Sequence, residues 1–113
     1  MKYIASNFTL PCGAILKNRI AKSAMSENIG TLSNAPTKTL INAYEVWAKG
    51  NPGLLITGNV MIDRKALGEP RNVVVEDYKH FDLLKAWAKT VDGTDVHLWP
   101  QLNHPGSCLL YTS

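Results

Sequence analysis

No stretch of this chain approaches the ~20 consecutive apolar residues that a membrane-spanning helix needs. Its 113 residues hold only two cysteines, Cys12 and Cys108, which make neither a metal-ligand spacing nor a disulfide framework. The opening MKYIASNFTLPCG lacks the long apolar core of a secretory signal, so a soluble cytoplasmic protein is the expectation. Charge of one sign is also scarce: the formal net charge is +3, and charged residues make up 19% of the chain. The basic side chains are scattered (Lys17, Arg19, Lys22, Lys38, Lys49, Arg64, Lys65, Lys79, Lys85, Lys89) and form no run or stripe. A nucleic-acid partner, which needs basic residues gathered on one face, is therefore not expected. An apolar fraction of 45% is that of a globular core and argues against disorder.

What is present is an alternation of short apolar runs and helix-length amphipathic segments. Residues 8–20 (FTLPCGAILKNRI) place two apolar pieces around Pro11 and Gly13, a hairpin signal. Arg19–Met25 reads as a first strand and gives way to a polar loop, Ser26–Asn34. Pro36 and Thr37 mark a helix start. From Lys38 to Lys49, Leu40, Ile41, Tyr44, Trp47 and Ala48 recur at helical spacing, and Gly50 and Pro52 supply the stop. Gly53–Val60 (GLLITGNV) is a nearly continuous apolar run that ends in Thr57-Gly58-Asn59, as a strand buried on both faces reads. A loop follows from Met61 to about Asp77, then a helix from about Lys79 to Val91 with Phe81, Leu84, Trp87, Ala88 and Val91 as its stripe. The third strand spans about Asp95–Leu102 and runs out into Gln101-Leu102-Asn103-His104. The order β-α-β-α-β predicts an α/β fold with parallel strands that present chemistry at their C-terminal ends. Tyr44, Trp47 and Trp87 lie on the helix stripes and are expected to pack in the core.

Read in order, LKNRIAKSAM (Leu16–Met25), YEVWAKGNPGLLITGNV (Tyr44–Val60) and QLNHPG (Gln101–Gly106) resemble the N-terminal part of the old yellow enzyme family. These are FMN-dependent NAD(P)H:flavin oxidoreductases and ene-reductases, and the resemblance covers residues 8–106. It implies the first three β/α units, with an N-terminal hairpin, of a TIM (β/α)8 barrel. It further implies an FMN cofactor reduced by NADH or NADPH, and hydride passed through the flavin to an activated alkene. By the same resemblance Ala24, Met25 and Ser26 lie along the flavin at the end of the first strand, with Ser26 near its O4/N5 edge. Gly58 would let the flavin approach the backbone, and Gln101 would offer its amide, donor and acceptor both, to the pyrimidine edge. Each has a purely structural competitor: Ser26 as a loop cap, Gly58 as a packing glycine, Gln101 as a side chain satisfied by a backbone loop. His104 stands between support of the site and solvation in its loop, while His97 reads as a satisfied core residue and His80 as structural.

The match ends at His104-Pro105-Gly106. The family continues with arginine, whereas Ser107 and the rest of 107–113 do not fit its pattern, so the division expected is a partial FMN-binding barrel over 1–106 and an aberrant tail over 107–113. An eight-unit barrel needs roughly 250 residues, and the family's substrate-binding pair, proton-donating tyrosine and phosphate loops have no counterpart here. The resemblance therefore leaves two readings. One is part of a flavin-dependent reductase, acting on a small alkene within an oligomeric parent, with no catalytic residue of its own. The other is a non-catalytic piece with at most weak flavin affinity. Three strands of such a barrel leave two sheet edges unpaired, so the isolated chain is expected to be marginally stable or to self-associate.

Overall fold

A computed structural model describes residues 2–106, and the tail division at 107 lies outside the described residues. The chain opens with one helical turn, α1 (Lys2–Ala5), and the expected hairpin, β1 (Phe8–Thr9) against β2 (Ile15–Leu16). Gly13 at φ +93° makes its turn. Next come β3 (Ala21–Lys22), α2 (Lys38–Lys49), β4 (Leu54–Met61), β5 (Val73–Val74), α3 (Phe81–Ala88), a 3₁₀ turn over Lys89–Val91, and β6 (His97–Asn103). Strand β4 is central. It pairs in parallel with β6 along one side, with β3 at the start of its other side, and with β5 at its end. Parallel strands joined through helices are the repeating unit of a (β/α)8 barrel, and three such strands form part of one.

Helix α2 occupies the residues its pattern predicts, and its start has a physical cause. The Thr37 hydroxyl accepts from the Leu40 amide at 3.1 Å and donates to the Ile29 carbonyl at 2.7 Å, so it caps the helix and ties it to the preceding loop. At the other end Gly50 keeps right-handed helical geometry, at φ −70°. The left-handed residue is Asn51, at φ +62°, so the helix stops one residue later than the glycine rule suggests. Leu40, Tyr44 and Ala48, spaced by four, form one buried row on α2. They close on Leu55 and Val60 of β4, Val73 of β5, Trp87 of α3 and Val96. The Tyr44 and Trp87 rings meet edge to face, with centroids 5.4 Å apart, an arrangement that stabilises by ~0.5–1.5 kcal/mol beyond burial.

Three expectations shift. The first strand forms ladder pairs only at Ala21 and Lys22, shorter than the Arg19–Met25 run, because the chain beyond Lys22 turns to side-chain bonds. The loop after β4 carries a strand the sequence did not signal: Val73-Val74 is only two residues long and held by Val60 and Met61. Trp47 does not join the core; 39% of it is exposed, and its ring lies against Lys22. Among the described residues, no helix is long and apolar enough to cross a membrane.

Candidate functional site

The C-terminal ends of β3, β4 and β6 converge on a defect in β4. Ile56 pairs with Trp99 and Asn59 with Gln101, so three steps along β4 match two along β6. One extra residue is accommodated at Thr57-Gly58, a β-bulge. Its position follows from Pro100, which lies opposite and has no amide to give the ladder. Thr57, 2% exposed, repairs the break with its side chain. Its hydroxyl accepts from the Gln101 amide at 3.0 Å and donates to the Gly58 carbonyl at 2.8 Å. The bulge also reverses the alternation of β4, so that Leu55, Thr57 and Val60 are all buried.

Gln101 takes its direction from the pleat. Leu98 packs on the helix-covered core, so His97, Trp99, Gln101 and Asn103 project from the opposite face. Contact between the rings of His97 and Trp99 agrees. Gln101 is exposed beside Asn59, and among the described residues its side-chain amide has no hydrogen-bond partner; only its main-chain N–H is engaged. Met25 is 64% exposed, and its carbonyl oxygen lies 2.3 Å from where a Cβ on Gly58 would stand. Met25, Gly58 and Gln101 are thus brought to one end of the sheet, with Ala24 half-buried before them. Ser26 is exposed and its hydroxyl donates to the Glu69 carboxylate, so it bonds across to the loop after β4 rather than capping its own loop. The space a side chain would fill at Gly58 is taken by Met25 and by the Glu27 carboxylate, 2.2 Å from the hypothetical Cβ. The glycine admits neighbouring parts of its own chain.

The histidines separate by role. His97 Nε2 meets the Ile15 carbonyl at 3.0 Å, which ties β6 to the hairpin at the N-terminal end of the strands; it is satisfied, but half-buried rather than in the core. His80 sits at the N-cap of α3 without a side-chain capping bond. His104 is exposed at the strand-end face, its Nε2 3.9 Å from the Asp63 carboxylate and its Nδ1 accepting from the Gly106 amide at 3.0 Å. The loops above are braced by Arg64, which bonds Glu76 at 3.0 Å and the Ser33 carbonyl at 2.8 Å.

Sequence reading missed a network beneath this end of the sheet. Glu27 accepts from the Gly58 amide at 3.0 Å and from the Tyr44 hydroxyl. Lys22 donates to the carbonyls of Ser23 and Ile56 at 2.9 and 2.8 Å and lies over the rings of Tyr44 and Trp47. Burial pushes the Tyr44 phenol well above its ordinary pKa, and the bond to Glu27 adds to the effect. Burial lowers the Lys22 pKa, with the Glu27 charge opposing. Lys22, Glu27 and Trp47, together with Met25 and Ser26, line a groove of about 690 Å³ whose remaining walls are mainly apolar. A lone Glu two residues past a strand, and a Tyr on an apolar stripe, gave no signal that they would meet.

Parallel strands with covering helices are the layout of part of a (β/α)8-type fold. Solved structures agree on the fold. The old yellow enzyme from Pichia sp. AKU4542 superposes with a TM-score of 0.83 at 19% identity, over 95% of this chain and 28% of that one. The old yellow enzyme from Trypanosoma cruzi gives 0.81 at 16% identity, over 96% and 29%. No family model matches the chain. Among curated proteins, the NADH-dependent flavin oxidoreductase iliE of Hypocrea jecorina is 39% identical over 102 residues, 87% of this chain and 25% of the relative. The NADH-dependent flavin oxidoreductase iccE of Talaromyces variabilis is 32% identical over 108 residues, 92% and 26%. The resemblance to the old yellow enzyme family holds, and the chain has the fold of part of its barrel. It spans about a quarter of the length of the curated relatives it matches.

Proposed function

We propose that this chain supplies one wall of the flavin site of an FMN-dependent NAD(P)H oxidoreductase of the old yellow enzyme kind. The observation that carries the reading is Gln101: an exposed amide without a hydrogen-bond partner among the described residues, held near the C-terminal end of a parallel strand across from the Thr57-Gly58 bulge of β4. Such an amide can give and accept one hydrogen bond each along the pyrimidine edge of an isoalloxazine. Met25 offers an exposed apolar surface for the ring, Ala24 adds a small side chain before it, and the Ser26 hydroxyl offers a donor once it leaves Glu69. These residues fit one edge and one face of FMN. Gly58 serves the wall indirectly, by letting Met25 and Glu27 close up against β4. When bound, FMN supplies the hydride chemistry, taking reducing equivalents from NADH or NADPH and delivering them to an activated alkene.

Names of the relatives support the flavin and the NADH; the alkene substrate, a cytoplasmic setting and an oligomeric parent are further parts of the proposal. A second reading, in which these residues bind flavin weakly and turn nothing over, is favoured by the described residues offering one edge and one face for the ring. Anaerobic incubation of the 113-residue chain with FMN, NADH and a cyclic enone separates them. Enone reduction above the protein-free rate supports the oxidoreductase. Flavin fluorescence quenched by wild type and not by Gln101→Ala, without turnover, supports the binding-only reading. No effect on flavin refutes both.

A further inference from the structure

We propose that Glu27 is a positioning residue: gripped by Tyr44 of α2, its carboxylate holds the Gly58 amide and so fixes the bulge of β4, which sets where Gln101 is presented. The chain of contacts is continuous. Tyr44, wholly buried in α2, donates to Glu27, and the same carboxylate oxygen, Oε2, accepts the Gly58 amide at 3.0 Å. The Gly58 carbonyl accepts from the Thr57 hydroxyl, and that hydroxyl accepts the Gln101 amide.

A bulged residue has lost its ladder partner, so its amide needs another acceptor or is left unpaired. Glu27 is that acceptor. A charged acceptor makes a stronger bond than a neutral one, and the missing Cβ at Gly58 lets the carboxylate come close. Lys22 completes the arrangement from the other side. Its ammonium is committed to the Ser23 and Ile56 carbonyls and to the rings of Tyr44 and Trp47, which places positive charge near the carboxylate and pins β3 to β4 just before the bulge. An acidic side chain therefore couples the buried helix stripe to the exposed strand end. Its consequence for flavin rests on the proposed function; the clamp itself does not.

The test is amide hydrogen exchange by NMR on the 113-residue chain, comparing wild type with Glu27→Ala, Glu27→Gln and the volume-conserving Tyr44→Phe. The Gly58 amide is expected to exchange roughly tenfold faster in Glu27→Ala, as loss of a bond to a charged group implies. The Gln101 amide should follow, while Leu55 and Val60 in the same strand stay within about twofold. Glu27→Gln, which keeps an acceptor, should restore part of the protection, and Tyr44→Phe should loosen Gly58 by a smaller factor. A merely structural role would speed Leu55 and Val60 by the same factor and would not be rescued by glutamine. Either that uniform pattern, or Gly58 and Gln101 unchanged in Glu27→Ala, overturns the proposal. Adding FMN to the same samples keeps the two readings apart, because the exchange pattern stands or falls whether or not flavin binds.

Discussion

Replacing Thr57 with valine asks how much one buried hydroxyl contributes to this strand end. The side chain is 2% exposed, and valine matches its shape, so packing is kept while both hydroxyl bonds disappear. The Gln101 amide and the Gly58 carbonyl each lose a partner, at 3.0 and 2.8 Å. A net hydrogen bond contributes ~0.5–1.5 kcal/mol, and a buried group left unpaired costs ~1–3 kcal/mol. The added methyl returns up to ~0.8 kcal/mol. The balance is a loss of about 1–2 kcal/mol. At roughly 4–8 °C per kcal/mol for a domain near this size, the melting temperature should fall by about 5–15 °C. Thr57→Ser is the matched control, since it keeps the hydroxyl and removes one methyl, a loss of ~0.8 kcal/mol. Urea titration of the three proteins, followed by circular dichroism, should give the order wild type, serine, valine. A valine variant as stable as the serine one would refute the claim that the hydroxyl repairs the broken ladder.

Gly58→Ala should destabilise by ~1–3 kcal/mol, the usual cost of overpacking. Its methyl would stand 2.3 Å from the Met25 carbonyl, which is backbone and cannot rotate away; a denaturant midpoint unchanged from wild type would contradict this. Thr37→Ala, which removes the N-cap of α2, should cost ~1 kcal/mol in the same assay. Tyr44 makes stability pH-dependent. Its folded pKa is raised above the ordinary 10.0, chiefly by burial, so above about pH 10 only the unfolded state loses the proton. The stability that this phenol contributes is complete below that pH and declines as pH rises further. Unfolding midpoints measured from pH 8 to about 11 should fall less steeply for Tyr44→Phe than for wild type.

How much was legible depended on whether a signal was local. Helix α2 was readable in its span because its cap, stripe and stop sit within fifteen positions of one another, although the left-handed stop falls on Asn51 rather than Gly50. Strands β4 and β6 were readable to within a residue or two because both are short apolar runs, but only β4 is buried on both faces; β6 is mostly exposed. The bulge was not visible: Gly58 was singled out for another reason, and nothing local says that Pro100 lies opposite it. The two-residue strand Val73-Val74 has no composition of its own and forms because β4 offers a ladder. Glu27 was invisible for the same reason, since its partners are 17 and 31 positions away. Gln101 was singled out through the family resemblance, and its outward direction follows only from the register with β4. The packing face of α2 was read correctly at Tyr44 and too generously at Trp47, which lies at the margin of the stripe and covers Lys22.

The most direct test of a flavin wall at the strand ends is chemical-shift mapping: ¹⁵N-labelled chain titrated with FMN into the millimolar range, where even weak binding registers. A flavin wall there should concentrate perturbations at Met25, Ser26, Gly58 and Gln101 and lose part of them in Gln101→Ala. Perturbations confined to the β1–β2 hairpin and His97, at the other end of the strands, or none at all, would contradict it.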